Sequence, residues 1–163
     1  MTGRGHRIVT FMVVGGATGS PLAAAFSLFG ATLPDSLERT LWGRNRNRYH
    51  RRLTHWFVPW LALALFCFRR AGWGLPVAAA LLDGGEGVLW SCAAFWLMGC
   101  VLHILEDACC GTVPFLFPMR RTFGVHLFRM SSRIGEMSGG EVAFTLVAVL
   151  LSLAGWVSQG LAL

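Results

Sequence analysis

Four long apolar stretches, separated by polar segments rich in arginine, constrain this chain more than any other feature of its sequence. The stretches cover residues 8–33, 53–68, 88–105 and 142–157. A helix crosses the hydrocarbon core of a bilayer with about 20 apolar residues. Hydrophobic residues make up 55% of the chain and charged residues 13%, which is more apolar than a soluble domain of this length. The pattern predicts an all-α, multi-pass membrane helical bundle with about four transmembrane helices, in which residues 1–163 form a single integral membrane domain.

The first stretch carries residues that interrupt helices. Gly15 and Gly16 lie in its middle, and Gly19 and Pro21 follow closely, so we expect a broken first helix. A cleaved signal peptide is the alternative, because arginines precede the apolar run. The apolar character continues through Leu33, which favours a retained membrane segment.

The second apolar stretch and the segments 71–87 and 125–130 give weaker predictions of secondary structure. The second stretch is brief for a span, and Arg69 and Arg70 at its end could reach the far interface. Residues 71–87 are rich in glycine and surround an apolar piece, 77–82, that is too short to span and is expected to be interfacial or packed on the bundle. Residues 125–130 have the pattern of an amphipathic surface helix, so we predict an interfacial loop and helix region there.

Histidines and carboxylates cluster at the ends of these stretches. His50 and His55 precede the second stretch, and the spacing of His103 and Asp107 at the end of the third places both side chains on one helical face. Ionisable groups of this kind in a membrane protein are candidates for a functional site. Imidazole nitrogens and carboxylate oxygens bind ions such as zinc. Together with Asp35 they predict a centre for one or two divalent metal ions, with zinc the expected ion.

The basic residues are all arginine, and they lie mainly at the ends of the apolar stretches. This arrangement is typical of membrane flanks and does not suit a nucleic-acid surface. The loops 34–52 and 108–140 hold ten arginines, and the opposite side of a four-span topology holds Arg4, Arg7, Arg69 and Arg70. The positive-inside rule therefore predicts that the two loops face the cytoplasm and that both termini lie outside.

Four of the loop arginines are candidates for binding an anionic substrate group, most naturally phosphate: Arg51, Arg52, Arg120 and Arg121. Anchoring at the membrane interface is an equally good explanation of their positions. Thr54 is adjacent to His55 and could hold its imidazole in place through a hydrogen bond.

Three motifs give the chain a resemblance to a known family. The segments Leu33-Pro34-Asp35, His50-Arg51-Arg52-Leu53-Thr54-His55 and His103-Ile104-Leu105-Glu106-Asp107, followed by Pro114, resemble the YdjM-type family of predicted metal-dependent hydrolases of bacterial inner membranes. The resemblance implies a multi-pass membrane enzyme of the inner membrane. It also implies a set of metal ligands: His6, Asp35, His50, His55, His103 and Asp107.

The chain departs from the family pattern at two places that bear on catalysis. Leu37 occupies the second acidic position of the PDxD motif, and the neighbouring Glu38 could substitute for that acid. Glu106 is an acid where an apolar residue is usual, which makes it the candidate general base.

The position of His6 conflicts with a simple first span. A single helix of 26 residues would place His6 about 40 Å from the predicted centre. Either the first stretch folds back as a re-entrant pair of short helices, or His6 is not a ligand.

These patterns predict a membrane-bound metal-dependent hydrolase that acts at the interface on a phosphodiester or phospholipid-type substrate. Its expected partners are membrane lipids and a small membrane-embedded substrate, and we expect no nucleic acid. One alternative is a processing enzyme for a small membrane peptide, such as a pilin or a secretion substrate. Another is a non-catalytic metal-containing membrane subunit or transporter.

Overall fold

The computed structural model describes residues 1–45, 50–72, 86–118, 120–131 and 135–160. These parts contain a short antiparallel hairpin, two 3₁₀ turns (Gly43–Asn45 and Leu53–His55) and six α-helices. The helices are α1 (Gly3–Thr18), α2 (Pro21–Gly30), α3 (Leu33–Trp42), α4 (Phe57–Arg70), α5 (Glu86–Cys110) and α6 (Gly139–Gly160). The hairpin pairs β1 (Val113–Pro114) with β2 (Arg121–Phe123). The apolar piece 77–82 and three of the loop arginines, Arg46, Arg48 and Arg133, lie outside the described residues.

The first apolar stretch forms two helices, as the glycine and proline pattern predicts. Helix α1 ends at Gly19, whose φ of 63° lies in the left-handed region that glycine adopts without strain. Helix α2 begins directly afterwards, because the Ser20 side chain accepts a hydrogen bond from the Ala23 amide and Pro21 occupies the first turn. The break therefore reverses the chain within a few residues.

Helices α1 and α2 form an antiparallel pair that starts and finishes at the same end of the bundle. His6 in the first turns of α1 stacks on His103, and the carbonyl of Ala31, just after α2, accepts a hydrogen bond from the same imidazole. The start of α1 consequently lies beside the loops that follow α2 and α5. The N-terminus does not lie opposite those loops as expected, because the first stretch folds as two antiparallel helices and the Met1 amino group lies 2.6 Å from Oδ1 of Asp107.

Helix α5 is the central element of the bundle. Helix α4 packs on it through small and apolar side chains, with Ala64 and Cys67 facing Ala94, Leu97 and Val101. Helix α2 approaches α5 where Gly30 meets the backbone around Trp96 and Gly99, and α1 approaches α6 where Gly16 meets Gly155. Glycine at these crossings lets helix backbones touch, which is common in membrane bundles.

Two helices in the described residues are long and apolar enough to cross a membrane, α5 and the Gly139–Ser158 part of α6. Only 17% of the apolar window of α6 is buried, and Leu146, Leu150 and Leu151 are exposed on its surface. An apolar helix that exposes such a face fits a lipid environment. The structure does not confirm the expected four transmembrane helices. Helices α1, α2 and α4 have 16, 10 and 14 residues, fewer than the roughly 20 that a span needs.

Residues 125–130 do not form the amphipathic helix that their pattern suggests. The amides of Val125 and Leu127 donate hydrogen bonds to the carbonyls of Ala108 and Cys109 in the last turn of α5. The final carbonyls of a helix have no partner within the helix, so an extended segment that supplies donors stabilises this end. The segment therefore runs extended across the end of α5.

Candidate metal centre

His103 and Asp107 lie on one face of α5, as their spacing predicts. His103 is 1% exposed and Asp107 is 2% exposed. The Nε2 atom of His103 lies 3.9 Å from Oδ2 of Asp107. Helix α5 thus presents one imidazole and one carboxylate side by side in the interior of the bundle.

His6 reaches the same place from α1. Its ring stacks on that of His103 with centroids 3.9 Å apart, and its Nε2 lies 3.2 Å from Oδ1 of Asp107. The antiparallel pair of α1 and α2 brings this side chain to the centre, which a single long first helix would not allow. His6 is therefore among the residues that the structure assembles.

His55 completes the buried part of the cluster from the 3₁₀ turn before α4. Its Nε2 lies 3.2 Å from Nε2 of His103, 3.5 Å from Oδ2 of Asp107 and 3.6 Å from Oδ1 of Asp35. Burial lowers the pKa of His55 to about 4, against the opposing effect of the carboxylates of Asp107 and Asp35. The imidazole is therefore neutral near pH 7, the form that binds a metal.

The Nδ1 atoms of the three buried imidazoles all point away from Asp107. Nδ1 of His103 lies 2.6 Å from the carbonyl oxygen of Ala31, which can only accept, so this nitrogen carries the proton. Nδ1 of His6 lies 2.6 Å from Oε2 of Glu106. Hydrogen bonds at Nδ1 fix the ring and leave Nε2 free as a ligand, which is the usual arrangement behind metal-bound histidines.

The same arrangement holds for His55. Its Nδ1 lies 3.0 Å from Oγ1 of Thr54 and 3.5 Å from Oε2 of Glu38. The predicted contact of Thr54 with this ring is therefore present. The Nε2 atoms of His55 and His103 lie 3.2 Å apart, a separation at which both nitrogens could bind the same cation.

Asp35, Glu38 and His50 form a second, more open group beside the buried one. Oε1 of Glu38 lies 2.7 Å from Nδ1 of His50, and its Oε2 accepts a hydrogen bond of 3.0 Å from the amide of Arg51. The side chains of His50 and Asp35 are 37% and 27% exposed. Glu38 is fully buried, so its carboxylate holds the chain around His50 in place.

Within the described ranges, three sets of side chains bring ligand atoms within 4.8 Å of one another: His6, His103 and Asp107; Asp35, His55 and His103; and Asp35, Glu38 and His50. Only the Nε2 atom of His103 is available to an ion, because its Nδ1 is held by Ala31. The first two sets therefore share one centre. The third set offers room for a second ion.

Arg51 is the one predicted substrate-binding arginine that the structure places at this centre. Its side chain is 8% exposed, and its Nη2 atom lies 2.8 Å from Oδ1 of Asp107, which is also 2.6 Å from the amino group of Met1. Its φ of 55° is unusual for a non-glycine residue, and such strain is often found at functional sites. A Cβ at Gly111 would overlap the guanidinium, so this glycine makes room for it.

The other predicted arginines lie away from this position. Arg52 is half-buried at the start of the 3₁₀ turn, and Arg120 and Arg121 are exposed on the hairpin. Thr10, which no sequence pattern singled out, belongs to the surroundings of the centre, because its hydroxyl donates a 3.0 Å hydrogen bond to Oε1 of Glu106. Thr10 follows His6 by four residues, so the helical spacing could have identified it.

The family model described as YdjM inner membrane protein matches residues 1–162. No curated protein and no solved structure matches the chain.

Proposed function

The chain belongs to the YdjM inner membrane protein family, and we propose that it is a membrane-bound, metal-dependent hydrolase. The observation that supports this most is the convergence of the Nε2 atoms of His6, His55 and His103 on Asp107. Each ring has its other nitrogen near a hydrogen-bond partner. Three imidazoles and one carboxylate form a donor set that suits zinc, which is the ion we propose.

The metal chemistry comes from the bound ion, and the chain supplies its surroundings. A zinc ion lowers the pKa of a coordinated water toward neutrality and polarises the scissile group. The ion would be held by four buried side chains, those of His6, His55, His103 and Asp107. The partly exposed Asp35 would bind it from the solvent side. With His50 and Glu38, Asp35 could hold a second ion.

Glu106 and Glu38, the acids that the sequence suggested as catalytic, are better suited to orienting the histidines. Glu106 has one oxygen 2.6 Å from His6 and the other 3.0 Å from Thr10. Glu38 contacts His50 and the amide of Arg51. We therefore assign Glu106 to orienting His6 and Glu38 to holding His50 and the Arg51 backbone in place, and we keep Asp35 as a metal ligand.

A phosphodiester or phospholipid head group is the substrate class that we favour. The guanidinium of Arg51 lies next to Asp107, where it can pair with an anionic oxygen of a substrate held at the centre. The two ligands on α5, His103 and Asp107, lie in its last turns, near one end of the bundle. A transporter needs its ligands near the middle of its spans, so this position favours an enzyme that acts at the membrane surface.

Hydrolysis in the presence and absence of metal tests the proposal. We expect the purified chain, in nanodiscs that contain phosphatidylglycerol, to hold one or two zinc ions and to cleave phospholipid or bis(4-nitrophenyl) phosphate. Activity should disappear on chelation and return with zinc, as followed by mass spectrometry of the products. Zinc-loaded protein that cleaves neither substrate but cuts a small membrane peptide would instead support the processing enzyme.

We further propose that α4, α5 and α6 cross the membrane and that α1 and α2 form a re-entrant pair. Helix α4 is about 21 Å long, and Arg69 and Arg70 at its end could reach the interface. The metal centre would then lie on the arginine-rich cytoplasmic side together with Arg4 and Arg7, and α6 would end outside.

A reporter at the C-terminus tests this orientation. We expect alkaline phosphatase fused after the last residue to be active and green fluorescent protein at the same place to be dark. The same reporters fused after the helix-ending Arg70 serve as a control, because they should give the same result. A fluorescent, phosphatase-negative C-terminus would show that the centre faces the opposite side.

A further inference from the structure

The sequence at the start of helix α6 has the spacing of a capping box, in which two side chains of the same helix end hydrogen-bond to its amides. Ser138 precedes the helix, its hydroxyl accepts a 3.1 Å hydrogen bond from the Glu141 amide, and Glu141 follows it by three residues. In such a capping box the glutamate side chain returns to the amide of its own capping serine. The carboxylate of Glu141 instead leaves its helix.

Glu141 bonds to the start of α1. Its Oε1 atom accepts hydrogen bonds from the amide of Thr2 at 2.7 Å and from the hydroxyl of Thr2 at 2.6 Å. Glu141 is 0% exposed, so these bonds lie in the interior. The amino-terminal ends of both helices are near the carboxylate, and their dipoles favour its negative charge.

Thr2 is the capping residue of α1, and that helix lacks an acid of its own. The Thr2 hydroxyl accepts a 3.2 Å hydrogen bond from the amide of Gly5, which is half of a capping box. Gly5 occupies the position where the box would have glutamate or glutamine. A Cβ on Gly5 would come within 2.6 Å of Oε1 of Glu141. Glu141 thus occupies, from another helix, the place of the missing side chain.

The first turn held in this way carries a ligand of the centre. His6 directly follows Gly5, and its amide donates a 3.0 Å hydrogen bond to the carbonyl of Thr2. We propose that Glu141 is a positioning residue that fixes the first turn of α1, and with it His6, against His103 and Asp107. This inference rests on the proposed metal centre and adds to it a link between α6 and the metal ligands.

Cobalt binding by the full chain in nanodiscs tests this link, with affinity from chelator competition and geometry from the visible ligand-field spectrum. We expect Glu141→Ala to weaken cobalt binding about tenfold and to change the spectrum, because His6 loses its support. Glu141→Gln should stay close to wild type, since its amide oxygen can accept both bonds from Thr2. A loss of general stability alone would lower the melting temperature without altering the spectrum of the bound ion.

Substitutions at Gly5 and Gly3 form a matched pair that tests the link without changing Glu141. Gly5→Ala should weaken cobalt binding because its methyl group displaces the carboxylate. Gly3→Ala should not, because the described part of the chain has no atom within 4 Å of the new Cβ. Adding Gly5→Gln to Glu141→Ala should restore binding by completing the box within α1. Wild-type affinity and spectrum in both Glu141→Ala and Gly5→Ala would overturn the link alone, whereas a wild-type chain that binds no cobalt would overturn the metal centre as well.

Discussion

Replacing His103 with alanine is expected to remove zinc from the purified protein. Its Nε2 atom belongs to both buried ligand sets, so its loss leaves neither set complete. The effect should exceed the roughly 10–100-fold loss of affinity that follows removal of a group behind a ligand. Asp107→Ala should behave alike, because His6 and His55 both face this carboxylate. Zinc content per chain, measured by plasma mass spectrometry after gel filtration, checks both variants.

His126 provides the control for these variants. It is an exposed histidine in the extended segment, and its φ of 56° is one that asparagine also tolerates. His126→Asn should therefore keep the zinc content of the wild type. Full zinc content in both His103→Ala and Asp107→Ala would contradict the assignment of the centre.

Gly99→Ala is expected to destabilise the whole bundle. A Cβ at this position would overlap the backbone carbonyl of Ser27 where α2 crosses α5. A backbone carbonyl cannot turn aside as a side chain can, so the helices must separate, at a cost of about 1–3 kcal/mol or more. This exceeds the roughly 1 kcal/mol that alanine gains over glycine within a helix. The change should also lower zinc content, since α2 leads to the Ala31 carbonyl that holds His103.

Gly87 on the same helix gives the opposite expectation. No atom of the described residues lies within 4 Å of a Cβ built there, so Gly87→Ala should leave stability unchanged or raise it slightly. Melting temperatures of both variants in one detergent, followed by intrinsic fluorescence, make the comparison. Equal melting temperatures would show that the close approach of α2 and α5 does not limit stability.

The break in the first helix could be predicted from the sequence, but the position that it gives to His6 could not. Gly19, Ser20 and Pro21 are local signals, and they end one helix and begin the next as such residues do. The chain reversal that returns α2 to the start of α1 depends on packing against α5 and α6. That reversal brings His6 to the centre and places the N-terminus beside the arginine-rich loops.

Residues 125–130 are a case in which the local sequence pattern predicted the wrong secondary structure. Their apolar spacing suggests a surface helix, but the free carbonyls at the end of α5 bind their amides instead. A partner from elsewhere in the chain therefore overrode the local pattern. The long apolar runs of α5 and α6 have no such competitor, and both form helices.

By itself, the sequence determined that the chain is largely helical and apolar, that its first helix is interrupted, and which histidines and carboxylates could bind a metal. These features depend on the chemistry and spacing of neighbouring residues. The tertiary structure alone decided that the Nε2 atoms of His6, His55 and His103 meet at Asp107, that Glu106 and Glu38 stand behind histidines, and that Glu141 caps α1 from another helix. These contacts join residues far apart in the chain, and only the packing of the helices brings them together.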